Sequence, residues 1–230
     1  MQSFVNQPFL AKRAKYSKWG LYVGFGSLFA GLMTATRIPL LAYLLLLVGL
    51  LGATFGSYMA NRYVREPRVD QVLENMLGGM DKRYSLYSYY LPSDYVIVSH
   101  FGLTVVVPRT QDGEISYADG RWHHKAGIRK VMQFFGEPSL GKPDQDLRQE
   151  MSYVKEWIDK ALPEKDVPVN GVVLFTSAKA TLRASKSPVP AMLAAELPSY
   201  MKQGLKGQPT LSTALQTELR QLLDAVVSGE

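Results

Sequence analysis

The sequence predicts an α/β protein in which an N-terminal transmembrane helical hairpin precedes a mixed sheet flanked by helices. Three observations carry that prediction. Two long uncharged stretches, residues 19–36 and 38–61, follow one another at the start of the 230-residue chain. Beyond them, β-branched runs alternate with amphipathic helical patterns. The charge is also unevenly divided: residues 1–60 hold Lys12, Arg13, Lys15, Lys18 and Arg37 and no acid, while the remaining basic side chains are nearly balanced by all 20 acidic ones. The net charge of +6 therefore belongs to the first quarter and does not mark the rest as a polyanion-binding domain. No cysteine occurs, which removes disulfides, thiolate metal sites and cysteine nucleophiles.

Each uncharged stretch is long enough for a bilayer core of about 30 Å at about 1.5 Å per helical residue. The second, "IPLLAYLLLLVGLLGATFGSYMA", is strongly apolar, and the first, "WGLYVGFGSLFAGLMTAT", is shorter and glycine-rich. Only "TRIP" separates them, with Arg37 at the far interface and Pro39 in the first turn of the next helix, where its missing N–H costs nothing. Basic residues precede the first stretch, and Arg62, Arg65 and Arg68 follow the second. The positive-inside bias then places both termini and the soluble domain in the cytoplasm, as a multi-pass protein of a cell inner membrane. The charged start and apolar middle also have the outline of a cleaved signal peptide, but the second stretch begins at once and leaves no sensible mature N-terminus. Gly20 and Gly24, and Gly52 and Gly56, are spaced to let two helices approach closely, within the hairpin or between hairpins.

The soluble part reads element by element. "EPRVDQVLENMLGGM" spaces Val69, Val72, Leu73, Met76 and Leu77 as a helix ended by Gly78–Gly79. "YSLYSYY" (84–90) alternates as a strand with aromatic side chains on one face, and its tyrosines suit sheet-edge packing or base stacking. Residues 94–100 and 103–109 are β-branched runs on either side of Phe101–Gly102, a hairpin buried on both faces. Residues 114–120 read as an edge strand closing on a turn. "PDQDLRQEMSYVKEWIDKAL" lines up Leu147, Met151, Val154, Ile158 and Leu162 as one helical stripe. Residues 169–176 form a buried strand, and two helices end the chain. The expected division is a membrane segment at 1–62, an α/β domain at 63–206 and a C-terminal helix at 207–230, with "KGQPT" as linker.

From residue 69 to residue 202, more than half the chain, this pattern resembles the NERD (nuclease-related) domain, a bacterial branch of the PD-(D/E)xK restriction-endonuclease-like fold. Three features carry the resemblance: Asp94 eight residues before Gly102 in the hairpin; Trp122 after a "DG" turn, then the proline-led "GKPDQDLRQE"; and the tail "VPVNGVVLFTSAKATL…SPVPAMLAAELPSYMK". The resemblance implies a restriction-endonuclease-like mixed sheet. It also implies a site in which acidic side chains hold Mg²⁺ and a lysine positions the attacking water. Asp94 falls on the family's aspartate and Asp70 on its helical glutamate. Val107 falls on the second core acid and Arg109 on the lysine. Valine cannot coordinate a cation, and a guanidinium stays protonated and cannot act as a base.

The expectation is therefore a pseudoenzyme: a membrane-anchored domain with a binding or scaffolding role, no cofactor and no metal site. Two alternatives stand beside it. One is a membrane-tethered nuclease using Mg²⁺ at a rearranged site that recruits Asp112, Glu114, Asp146, Glu150 or Glu156. The other is a structural subunit of a membrane complex. "RWHHKAGIRK" gathers Arg121, Trp122, Lys125, Arg129 and Lys130 as candidates for contacting phosphate, of lipid headgroups or nucleic acid, or as a solvated basic loop. His123 and His124 point opposite ways on a strand and make a poor metal pair, and His100 beside a turn suits local satisfaction. The expected partners are the lipid bilayer and a membrane protein, with no nucleic acid. No GxSxG, P-loop or HExxH motif points to a small-molecule substrate.

Overall fold

The computed structural model describes residues 1–125, 139–205, 207 and 209–229. They fold into two compact units, residues 7–68 and, separately, residues 1–6 with those from 69–125 and 140–229.

Residues 7–68 form an antiparallel pair of helices, α1 (Gln7–Thr34) and α2 (Pro39–Tyr63), with Pro39 in the first turn of α2. Their buried positions are Leu10, Ser17, Gly24 and Gly31 on α1, and Ala42, Gly49, Gly56 and Tyr63 on α2. Each set recurs every seventh residue, the repeat that keeps one seam facing a partner helix. Small side chains along that seam let the backbones nearly touch. A Cβ on Gly24 would lie 2.3 Å from the Ala53 nitrogen, one on Gly56 2.6 Å from the Leu21 nitrogen, and one on Gly20 3.0 Å from the Gly56 Cα. The Ser17 hydroxyl closes the seam by donating to the Gly56 carbonyl at 3.0 Å.

Among the described residues one helix, Pro39–Tyr63, is long and apolar enough to cross a membrane, with a mean hydropathy of 2.1 over its best window. The expectation was two such helices. The first begins earlier than its uncharged stretch, at Gln7, so it carries the basic segment, and its glycines dilute its apolar character.

The second unit is built on a mixed six-stranded sheet, among the described residues, in the order β1 (Gln2–Val5), β2 (Ser85–Ser88), β3 (Tyr95–Ser99), β4 (Gly102–Arg109), β7 (Val169–Phe175), β9 (Ala191–Leu193). The middle strands β2, β3 and β4 form an antiparallel meander, whereas β1 joins β2, and β7 joins β4 and β9, in parallel. The β3–β4 turn requires its glycine. Gly102 has φ +107°, and a Cβ there would lie 2.3 Å from the Pro168 carbonyl oxygen, which already accepts from Leu103 at 2.9 Å. Gly102→Ala is expected to cost about 2 kcal/mol or more, read as a lower urea midpoint of the full chain; an unchanged midpoint would contradict this turn.

Helix α3 (Val69–Leu77) precedes the meander, and α4 (Pro143–Ala161) crosses from β4 to β7. Asp144 and Asp146 in the first turn of α4 and Lys160 in its last complement the helix dipole. Its stripe of Leu147, Val154 and Ile158 packs on one sheet face with Val96, Val98, Leu103, Val105, Val107, Val173 and Phe175. Met151 lies over Gly171, where a Cβ would come 2.4 Å from its sulfur. The opposite face carries Leu86, Ile97, Val106, Val172 and Leu174, each exposed by 1% or less. Parallel strands covered on both sides read as unbroken apolar runs, which is why 103–109 and 169–176 show no alternation.

Four features depart from the sequence reading. Residues 2–5 are not part of a basic tail but an edge strand of the six-stranded sheet, with Phe4 stacked on Tyr87 at 4.9 Å. The C-terminal helix α5 (Thr213–Ser228) belongs to the same unit, burying Leu219 and Leu223 in the core. The boundaries at 62 and 206 are therefore not where the compact units divide. Residues 113–118 form β5 (Gly113–Ala118), the middle rather than the edge of a second, three-stranded sheet between β6 (Arg121–Lys125) and β8 (Ala180–Arg183). Residues 194–204, expected as one helix, wind as short 3₁₀, α and π turns.

Candidate functional site

The β3–β4 hairpin positions the residues singled out by the resemblance. Val96 pairs with Val105, and continuing that register sets Asp94, one residue ahead of β3, across from Val107. Arg109 follows two positions on, on the same side of β4. The hairpin thus sets Asp94, Val107 and Arg109, the positions that the resemblance singles out, along one side. Val107 is 6% exposed and lies inside the apolar cluster under α4.

Arg109 is committed to holding α4. Its guanidinium donates to the Leu140 carbonyl at 3.2 Å and the Pro108 carbonyl at 3.0 Å, and it pairs with the Asp146 carboxylate. A charge-assisted contact of this kind fixes the start of α4 against the end of β4.

Asp112, Glu114 and Glu156, also weighed as replacements, are engaged elsewhere. Asp112 accepts from the Ser177 hydroxyl. Glu114 lies between Lys125 at 3.7 Å and Arg183 at 3.3 Å. Glu156 pairs with Lys160 at 2.7 Å, one turn away on α4. Glu150 lies within α4, half-buried. Among the described residues, no three His, Asp or Glu side chains converge into a group that could hold a metal ion.

Asp70 and Asp94 do share a neighbourhood. Asp70, 2% exposed in the first turn of α3, and half-buried Asp94 both act on the phenol of Tyr95. Tyr95 is 2% exposed and its hydroxyl meets that of Tyr89 at 2.5 Å. Burial first, then the Tyr89 phenol, then the two carboxylates hold Tyr95 protonated far above the ordinary tyrosine range. Tyr89 itself sits at φ +66°, a conformation that costs a bulky residue energy and that here turns its ring back toward Tyr95. Sequence reasoning missed this pair, because only the turn after β2 brings the two rings together.

Tyr87, on the other sheet face, is pushed up to about 12, by burial first and then by Asp224 of α5, with Arg220 opposing. The sign is that of a group kept neutral by folding: its contribution to stability is complete below pH 10 and is lost as the pH rises toward 12. Alkaline titration followed at the phenolate absorbance is expected to show Tyr87 and Tyr95 ionising together with unfolding. Early, non-cooperative ionisation of all tyrosines would contradict their burial.

The basic candidates separate on β6. Arg121, His123 and Lys125 face outward, while Trp122 and His124 are half-buried. The Trp122 indole donates to Asp144 at 3.0 Å and its ring lies 6.0 Å from Phe175, so it anchors the small sheet to α4 rather than standing free for a base. His124 meets the Asp112 carbonyl at 2.7 Å. Arg129 and Lys130 lie outside the described residues.

Along the hairpin seam the structure uses Gly20, Gly24, Gly52 and Gly56 between α1 and α2. It adds Ser17, Gly31, Ala42 and Gly49, which sequence reading passed over. Their seven-residue spacing was the signal that could have found them.

Fold and site together define an α/β protein with an N-terminal helical hairpin and a mixed sheet whose apolar core includes Val107. Comparison of the chain with protein-family models, with curated proteins and with solved structures finds no match.

Proposed function

We propose that this chain is a membrane-anchored, NERD-like protein whose α/β domain is a pseudoenzyme, with a binding or scaffolding role at the cytoplasmic membrane face. The observation that carries the non-catalytic reading is Val107 buried in the core at the position of the second metal-binding acid. A divalent cation needs oxygen ligands there, and the neighbouring Arg109 spends its charge on Asp146.

Two observations support the membrane anchor. Only 17% of the apolar window of α2 is buried, and Leu40, Tyr43, Leu47 and Leu51 point outward at 55% exposure or more. Apolar surface on that scale is stable in lipid, not in water. The second observation is one of parity. Strands β1 and β2 are hydrogen-bonded neighbours, and α1 and α2 lie between them in the chain. A water-facing sheet does not straddle a bilayer. If α2 crosses, then α1 crosses back, despite its weaker apolar character.

The runner-up, a membrane-tethered nuclease, draws on the shared neighbourhood of Asp70 and Asp94 around Tyr95. The deciding experiment uses the full chain in detergent, because a fragment from residue 63 would lack β1. Incubated with Mg²⁺ or Mn²⁺ and single- or double-stranded DNA, the chain is expected to leave the DNA intact. Cleavage that Asp94→Ala abolishes would establish the nuclease instead.

A further inference from the structure

We propose that the first turns of α1 form a binding surface for anionic phospholipid headgroups, resting on the membrane-anchored reading above. Lys12, Lys15 and Lys18 are exposed, and among the described residues none of them has a hydrogen-bond or ion-pair partner. No acidic residue occurs in the first 60 positions to neutralise them.

The neighbouring Arg13 behaves differently. Its guanidinium lies over the rings of Phe9 at 4.8 Å and Tyr63 at 5.7 Å, which ties the base of α1 to the end of α2. One cation therefore closes the hairpin, and three are left facing out.

Tyr16 and Trp19 share the outward face with these lysines, 43% and 59% exposed. Such amphipathic rings settle at the level of lipid headgroups. The uncharged part of the helix, residues 19–34, rises about 24 Å, within a hydrocarbon core of about 30 Å. Lys12, Lys15 and Lys18 lie on the turns before it, where their long stems carry the ammonium groups into the headgroup layer. Three unpaired ammonium groups at that depth, beside interfacial aromatics, match a negatively charged leaflet.

The test reconstitutes the full chain in vesicles of equal phosphatidylcholine and phosphatidylglycerol, extracts it in mild detergent, and measures the two lipids that stay bound. Phosphatidylglycerol is expected to exceed phosphatidylcholine by about fivefold or more, the ratio set by about 1 kcal/mol from a single lysine. The triple substitution Lys12→Gln, Lys15→Gln, Lys18→Gln is expected to bring the ratio near one while leaving the thermal midpoint and the amount inserted unchanged. Lys179→Gln, on the exposed turn before β8, is expected to keep the preference.

Equal retention of both lipids by the native chain, or a preference unaltered in the triple variant, overturns the proposal. So does displacement of the bound lipid by inorganic phosphate at constant ionic strength, which would assign the surface to free phosphate. A chain that fails to enter vesicles of either lipid overturns the membrane reading itself, and is told apart by its recovery in the supernatant.

Discussion

Gly24→Leu is expected to prevent α1 and α2 from closing. A Cβ at Gly24 would fall 2.3 Å from the Ala53 nitrogen and 2.8 Å from its Cα, so the obstacle is backbone, which cannot rotate aside. Backbones that meet this closely at Gly20, Gly24, Gly52 and Gly56 must separate along the whole seam to admit one large side chain. The Ser17 bond to the Gly56 carbonyl is lost with them. Overpacking a soluble core costs about 1–3 kcal/mol, and a continuous backbone seam stands at or beyond the upper end. Gly26, two residues away, has nothing within 4 Å of its would-be Cβ, so Gly26→Leu is the matched control. Thermal unfolding of the two variants in detergent reads the difference. Equal midpoints would mean that the helices do not pack on this face.

Val107→Glu restores the acid that the resemblance calls for, and it is expected to destabilise the domain rather than activate it. Val107 is surrounded by apolar neighbours such as Leu147 and Phe175. A carboxylate placed among them must either ionise without a partner or take up a proton, and an uncompensated buried charge costs about 3–5 kcal/mol. Val107→Leu, which keeps the chemistry and alters only the volume, is expected to cost less than about 2 kcal/mol. Urea unfolding of the full chain separates the two. A Val107→Glu protein that unfolds like the native one, or that cleaves DNA with Mg²⁺, would show that the position faces an open site and would favour the nuclease reading.

The long apolar helix α2, the meander and the α4 stripe were legible because each is written in a local pattern. Apolar positions such as Leu147, Val154 and Ile158 recur at helical spacing, and β-branched runs flank Phe101–Gly102. What failed was reading at longer range. Residues 2–5 carry no strand signal beyond a short uncharged run, and they became β1 only because the edge of β2 was there to receive them. Residues 121–125 could be read as a strand or as a basic loop, and only the pairing with β5 decided it, residue by residue, from Ala118 against Arg121 to Glu114 against Lys125. Strand pairing is a property of two segments, and the partner is not named in either.

The candidate site divides the same way. That Val107 is apolar and Arg109 cationic is a matter of residue type, and the expectation drawn from the resemblance at those positions needed no structure. What Arg109 does there needed one. Its guanidinium finds Asp146 and the Leu140 carbonyl only when β4 and α4 pack. The union of Tyr95 with Tyr89, Asp70 and Asp94 likewise depends on a turn and a helix converging.

Residue chemistry and local period determined which segments are apolar and where helices and strands begin. Tertiary structure decided which strand lies beside which, which charges meet, and that the chain ahead of α1 returns to the sheet formed after α2. The reason is physical: hydrophobic periodicity is set by a few neighbouring residues, whereas hydrogen-bond and charge partners are chosen among groups that only packing brings within reach.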